Sequence, residues 1–381
     1  RAIAGKFRRK YGTVQRRIER KGGYGYDPEV ERRGYFCGMW IVVDEEIRKQ
    51  NEMKRFINSL VIFTFIFVSC KDSSKNPLLP TVAGAAYDLV IVGDPIEWKQ
   101  TAGRCLFDML DDDTPGLPQS EPLFNLSFVP ESQFDNLLKP ARNILMFTID
   151  DKMFTTGKVA YERNRWAKIQ AIVKISAPNQ EEMIKTLSEN KKQIIDYFVN
   201  VEYERSLMYY KRYSNGTTRK LIKDSVDVWV SVPDFLNKYK GGENFTWLSN
   251  GSLDSRQDII VYRTDYHGPQ DFTVPNLVSV RDSVLKKHIP GPSEGSYMAT
   301  DTINYYPAFR DVPLKERYCC EMRGLWRVQG DIMGGPFVSR SYFDARNSQI
   351  VTVETFVYAP NHKKRNKIRL MEAIVTSVEF E

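Results

Sequence analysis

A mostly apolar run from Phe56 to Val68, preceded by Lys54-Arg55 and stopped at Ser69-Cys70, divides the chain into parts that cannot share one fold. A helix needs about 20 apolar residues to cross a bilayer. This run is shorter, carries its basic residues in front and a small residue at its end, and so has the layout of a signal peptide. Beyond it, Lys71-Asp72-Ser73-Ser74-Lys75 and the later Pro77, Pro80 and Gly84 compose a flexible spacer. The sequence therefore predicts an upstream extension over 1–52, a signal over 53–69, a tether over 70–86 and a folded body from Tyr87 onward.

Charge follows the same division. Residues 1–52 hold 13 Lys or Arg and 8 Asp or Glu, and the signal adds Lys54 and Arg55, so that of 55 basic and 48 acidic residues the part from Cys70 onward keeps 40 of each. The formal charge of +7 belongs to the leading segments, and the part expected to fold is neutral. A nucleic-acid partner, which needs a basic face, is not expected. Val68-Ser69-Cys70 resembles the lipobox of bacterial lipoproteins. The resemblance implies that Cys70 takes a thioether-linked diacylglycerol, becomes the mature amino terminus and holds the protein on a membrane of the cell envelope. Lys71 in place of Asp after that cysteine favours the outer membrane over the inner. Within the extension, Gly22-Gly23-Tyr24-Gly25-Tyr26-Asp27-Pro28 is similar to the substrate loop of the inosine/xanthosine triphosphate pyrophosphatases. That family's amino-terminal phosphate-binding motif is missing, so no activity carries over.

Past Tyr87 the chain alternates strands and helices. Asp88 to Val92 is a branched apolar run of strand length, Asp94-Pro95 opens an amphipathic stretch to Leu110, and Asp111 to Gly116 breaks the chain. Leu123 to Val129, Asn143 to Ile149 and Trp166 to Ser176 read as strands, with a short helix over 131–138. Asn179 caps a long helix through Tyr210, carrying Ile184, Leu187, Ile194, Ile195 and Phe198 at helical spacing. The same grammar returns in Val226 to Val230 before Pro233-Asp234, in Arg256 to Asp265, and in Ile350 to Tyr358 before Ala359-Pro360-Asn361 and a closing helix. The expectation is an α+β fold of mixed sheets flanked by helices, over lobes 87–223 and 224–381. These are either two similar lobes from internal duplication, the second enlarged by an insertion between about Asn276 and Glu316, or parts whose common strand-to-helix junctions coincide. Cys319 and Cys320, adjacent on a strand, should point to opposite faces as two unlinked core thiols.

Chemistry-bearing residues concentrate between Cys319 and Tyr358. Gly330-Asp331 and Gly334-Gly335-Pro336 join two alternating strands, and exposed glycine amides there would form an anion-binding concavity with Arg323, Trp326 and Asp331 at its lip. The competing reading is a turn whose glycines serve dihedral angles above a packed Trp326. Glu321, Asp331 and Glu354, on adjacent strands, are the carboxylates to consider for glycan or peptide hydrolysis. His267, His288 and His362 lie far apart without a paired ligand, so neither a metal nor another cofactor is expected. Aromatic residues such as Tyr209, Trp229, Trp247, Tyr262 and Tyr306 suit glycan or peptide stacking, or simply strand structure.

The block Glu321-Met-Arg323-Gly-Leu-Trp326 through Gly334-Gly335-Pro336-Phe337, the loop Pro115-Gly116-Leu117-Pro118-Gln119, the strand opening at Arg142-Asn143-Ile144 and the final Tyr358-Ala359-Pro360 together resemble the domain-of-unknown-function family 4837. The likeness runs from about Leu78 to Phe380. It implies fold kinship with lipoproteins of Bacteroidota bacteria and brings no activity, substrate or catalytic residue. The function expected is therefore a non-enzymatic envelope lipoprotein that binds an envelope protein, peptide or glycan, with a carboxylate hydrolase as the alternative.

Overall fold

The computed structural model describes residues 79–380. The extension, the signal and Cys70 lie outside the described residues.

Two sheets form the body. The first has the order β2-β1-β3-β5-β4, built from β1 (Asp88–Gly93), β2 (Asn125–Pro130), β3 (Asn143–Ile149), β4 (Lys158–Arg163) and β5 (Ala171–Ala177). Strand β1 is parallel to both β2 and β3, β3 is parallel to β5, and β4 closes one edge antiparallel to β5. The crossover from β1 to β2 carries α1 (Pro95–Lys99) and α2 (Thr101–Leu110). Asp94 starts α1 by accepting from the amides of Ile96 and Glu97, with Pro95 in the first turn. Leu89, Ile91, Leu145, Phe147, Val173 and Ile175 project from one face of the sheet into a core with α2 and α3 (Gln180–Arg212).

Helix α3 is the longest element, 33 residues or about 50 Å. Its start is fixed by the Asn179 carboxamide, which accepts from the Glu182 amide, by Glu181 and Glu182 in the first turn, and by Lys211 and Arg212 in the last, each opposing the macrodipole. Met183, Leu187, Ile194 and Phe198 belong to the first core, whereas Tyr203, Leu207 and Tyr210 pack in the second. The apolar stripe changes partner along the helix.

The second sheet has the order β10-β11-β12-β13-β8-β7-β6, with β9 also paired to β11. Its strands are β6 (Lys238–Gly242), β7 (Phe245–Ser249), β8 (Arg256–Asp265), β9 (Tyr297–Thr300), β10 (Ala308–Asp311), β11 (Cys319–Gln329), β12 (Gly334–Asp344) and β13 (Gln349–Tyr358). Every pair in it is antiparallel. One face, with Ile259, Val261, Val338, Val351 and Val353, is covered by the end of α3, by α4 (Gly216–Val226) and by α6 (Arg365–Val375). The other, with Ile260, Tyr262, Trp326, Phe337 and Phe356, is covered by α5 (Val274–His288) and its flanking segments. Cys319 and Cys320 are buried free thiols.

The fold is α+β, and its two halves differ in topology. Arg142 to Asp150 and Arg256 to Asp265 look alike in sequence, yet β3 runs parallel to its neighbours and β8 antiparallel to both of its own. Val226 to Val230, the expected counterpart of β1, forms no ladder. Val228, Val230 and Val232 run extended against the second core, held by reciprocal backbone hydrogen bonds between Trp229 and Glu379. The similar lobes expected from a duplication are therefore not what the strand pairing shows. Between 276 and 316 the chain supplies most of α5 together with β9 and β10, which are working parts of the second sheet.

Candidate functional site

Antiparallel register decides which of the chemistry-bearing residues can meet. Across β11, β12 and β13, Glu321 stands opposite Arg340, and Ser339 opposite Glu354. Side chains alternate faces along a strand, so Glu321, Arg323 and Arg340 project toward α6, while Glu354 and Trp326 project toward α5. The three carboxylates Glu321, Asp331 and Glu354 share no cleft.

Glu321 is buried among three guanidiniums. Arg310 Nε donates to Oε1 at 2.9 Å, Arg323 Nη2 to Oε1 at 3.2 Å and Arg340 Nε to Oε2 at 3.0 Å. Burial would raise its pKa, but Arg323, Arg310 and Arg340 outweigh that and hold the carboxyl at about 2. Arg323 continues the chain by donating to Glu372 of α6 at 3.1 Å, and the Tyr203 hydroxyl of α3 donates to the other oxygen of Glu372. Burial lowers the Arg323 pKa, and Glu372 and Glu321 reverse this and raise it. Glu354 is fully buried and takes two parallel hydrogen bonds from Arg281 of α5, 2.8 Å from Nε and 2.7 Å from Nη2. The guanidinium lies 3.8 Å from the Phe337 ring centre, and its Nη1 donates to Thr300 Oγ1. A general acid or nucleophile needs access to substrate and a proton to exchange. Glu354, sealed in the interior, lacks access to substrate although burial raises its pKa. Glu321 lacks both access and, with its carboxyl held at about 2, a proton to exchange, so both are structural ions.

The expected anion concavity is a turn. Gly330 takes φ +86°, and the Asp331 carboxylate accepts from the amides of Ile332 and Met333, using the donors that an anion would need. A Cβ on Gly335 would sit 2.1 Å from the Val357 carbonyl oxygen and 3.1 Å from Trp326 Nε1, so this glycine lets β12 close on β13 over the buried indole. Arg323, Trp326, Asp331, Gly334 and Gly335 therefore form no common lip. Among the described residues, no group of three or more His, Cys, Asp or Glu could hold a metal ion, and no helix is long and apolar enough to cross a membrane.

Residues that sequence reading passed over hold the two sheets together. Glu202, buried in the middle of α3, pairs with Arg142 at 2.7 Å and Arg205 at 2.7 Å and accepts from Asn143 Nδ2 at 2.8 Å. The Arg142-Asn143 motif thus seats α3 on the first sheet. The loop Pro115 to Gln119 reaches the second sheet. Leu117 packs in the second core, and Gly116 lies against Arg323 and Gly324. Two residues on, the Glu121 carboxylate accepts from the amides of Lys364 at 2.6 Å and Arg365 at 3.0 Å, capping α6 where Lys364 offers no side-chain cap of its own. A Glu separated from a helix start by more than 240 residues carries no local signal.

The surface feature that stands apart is the β10 edge. Strands β9 and β10 share the outer side of β11 end to end, β9 on Trp326–Gln329 and β10 on Cys320–Arg323. All four residues of β10 are exposed, and among the described residues no strand pairs with its far side. The segment leading in and out of it presents Ile303 at 75 % exposure, Tyr306 at 64 %, and the more shielded Phe309, Leu314 and Tyr318. Ile303 is displayed by a fixed turn, because the Asp301 carboxylate accepts from the amides of Ile303 and Asn304 and from Asn304 Nδ2. The other free edges are guarded in the usual ways. Strand β6 carries Lys238 and Lys240 beside two glycines, β4 carries Lys158, Glu162 and Arg163, and β2 ends on Pro130. A shallow groove of about 540 Å³ between β4 and α3 is lined by Tyr161 and Tyr197 together with polar and charged side chains, of which Lys192 and Asp196 pair with each other.

No curated protein matches the chain. Residues 82–211, which include the Pro115 loop and the Arg142-Asn143 strand, match the domain of unknown function DUF8532. The likeness expected from about Leu78 to Phe380 is thereby confined to the second part, with its β11–β12 block and closing helix. Residues 215–377, with the β11–β12 block and the closing helix, match the domain of unknown function DUF4837.

Proposed function

We propose that this protein is a non-enzymatic cell-envelope lipoprotein, anchored through Cys70 and delivered to the outer membrane, that holds a partner protein by adding an extended segment of it to the β10 edge. The observation that carries the binding role is that edge itself. It offers unpaired backbone donors and acceptors beside Ile303, Tyr306 and Phe309, in a sheet whose opposite edge is lysine-guarded. Main-chain pairing supplies affinity in such an arrangement, and the flanking apolar side chains supply selectivity. The anchor is supported by the signal-like run and the lipobox resemblance at Val68-Ser69-Cys70.

The test places a photo-crosslinking amino acid at Phe309 in the full chain in its native host. The expected result is one discrete protein adduct in the outer-membrane fraction, lost on Tyr306→Lys and absent when the crosslinker sits at Lys240 on β6. No adduct from position 309, or equal adducts from both edges, refutes the binding mode. Intact mass spectrometry of the same preparation reads the acyl groups on Cys70.

A further inference from the structure

We infer that the surface around Leu137 and Trp166 is the membrane-facing side of the folded body, resting on the phospholipid headgroups of the leaflet that holds the Cys70 lipid. The inference rests on the proposed anchor and adds the orientation of the protein upon it.

Where the tether joins the fold sets the argument. Lys168 donates its amide to the Pro80 carbonyl at 2.8 Å, Ala83 donates to Pro140 at 2.9 Å, and Thr81 and Ala83 bridge to Lys168 and Ala141 as isolated parallel pairs. The chain thus enters between the 139–142 segment and the turn at 164–170. Pro80 is ten residues past Cys70, a span of about 33 Å at full extension and about 17 Å as a flexible coil. Whatever lies beside this entry point stays within that reach of the bilayer.

What lies there is apolar and aromatic, with exposed Lys168 and Arg165 at its margin, the latter paired with Glu162 at 3.1 Å, and with exposed Asp135 in the Leu137 turn. Leu137 is 85 % exposed. It is presented by a pinned turn, since Asp135 accepts from the Leu137 amide at 2.9 Å and Gln170 Nε2 donates to the Lys139 carbonyl at 2.6 Å. Phe134 and Trp166 meet edge to face at 5.6 Å, and Arg165 lies 4.7 Å over the Trp166 ring. Lys168 is exposed beside them. A leucine to insert, a tryptophan at headgroup depth and Arg or Lys to meet phosphates are the components of an interfacial anchor. Leu253, at 88 % exposure on the β7–β8 connection, lies far along the chain from the tether and makes a control of equal apolar exposure.

The experiment attaches an environment-sensitive thiol fluorophore at Leu137→Cys or at Leu253→Cys in the lipidated full chain, with the parent chain's signal subtracted. The chain is reconstituted in vesicles of phosphatidylethanolamine and phosphatidylglycerol, with and without a quencher on the acyl chains. A blue shift and quenching at 137 but not at 253 is the expected result. A label at 137 that stays water-exposed while mass spectrometry shows Cys70 acylated overturns the surface and leaves the anchor standing. If Cys70 is not acylated, the anchor reading is what fails. The Cys70→Ser chain then tests the surface alone, where flotation with the same vesicles should drop about tenfold on Leu137→Glu, and an unchanged flotation overturns it.

Discussion

Removing the carboxylate of Glu354 separates its structural role from a catalytic one. Glu354 and Arg281 are both fully buried, joined by two charge-assisted hydrogen bonds of 2.8 and 2.7 Å. In Glu354→Gln the guanidinium stays at the sheet–helix interface with one carbonyl in place of a charge, and Asp282 at 3.6 Å is the remaining anion beside it. Breaking a buried pair by deleting one partner costs about 3–5 kcal/mol, because the other charge is left without compensation. Partial relief by Asp282 places the expectation at about 3 kcal/mol. The double variant Arg281→Met with Glu354→Leu removes both charges and fills the space. Thr300 keeps its hydrogen bond to Asp282 in that variant, so its stability should return to within about 1 kcal/mol of the parent. Urea unfolding at pH 7 reads this as a midpoint that falls in the single variant at unchanged slope and recovers in the double. Arg281→Met alone leaves a lone buried carboxyl with a raised pKa. Its stability is kept where that carboxyl is protonated and lost as pH rises through the folded pKa, so its deficit should be larger at pH 8 than at pH 5. A cost below about 1 kcal/mol for Glu354→Gln, or a double variant no better than the single, would refute the reasoning.

Three further outcomes follow from the same interior. Glu321, held at about 2 in the folded state against about 4.5 for a free carboxyl, contributes stability that is complete above about pH 5 and lost as pH falls toward 2, about 3 kcal/mol in all. Glu321→Gln should flatten the stability curve over that interval, and an unchanged acid limb in urea titrations would show that the ion cluster is unimportant. Burial pushes the Cys319 and Cys320 thiols up to about 12, so iodoacetamide at pH 8 should label half-buried Cys105 and spare both, with peptide mapping as the readout. Glu121→Ala removes the cap on α6 and should cost about 1–2 kcal/mol. Hydrogen exchange should accelerate at Lys364 and Arg365 first, and protection unchanged in that turn would exclude the cap.

Strands lying inside a sheet are legible from sequence because both faces must be apolar or β-branched. Asn143 to Ile149 and Arg256 to Asp265 coincide with β3 and β8, and Ile350 to Tyr358 with all but the first residue of β13. Edge strands are not legible in this way. Strand β4 carries alternating charged residues that suit solvent as well as a ladder, and β6 is exposed throughout. Helix α5 hides behind Pro275 and Asn276, although a proline in the first turn and Leu277, Arg281 and Leu285 spaced by four are the marks of a buried helical face. Val228 to Val232 alternates like a strand because an extended segment packed on a core has the same two-residue period as a paired one, whereas Val226 closes α4. The apparent duplication fails for a related reason: strand-to-helix junctions are set by local capping chemistry, whereas parallel or antiparallel pairing is set by the whole sheet. At the candidate site, the two-residue spacing of Glu321 and Arg323 already puts opposite charges on one strand face. Only the register brings Arg340 opposite and turns the group into a closed ion cluster.

The two matched families meet between residues 211 and 215, at the end of α3, but the packing does not divide there. The last turns of α3 place Tyr203, Leu207 and Tyr210 in the second core, and Tyr203 completes the ion chain that runs through Glu372 and Arg323 to Glu321. In the opposite direction, Arg365 of α6 donates to the Pro122 carbonyl and to Asn125 of β2. Each half lends a side chain that the other needs to satisfy a buried polar group, and an unsatisfied one costs about 1–3 kcal/mol. The halves are therefore coupled through hydrogen bonds as well as apolar area. A displacement of α3 on the first sheet would break charged contacts on the second, so hydrogen bonds as well as packing oppose a hinge between the halves.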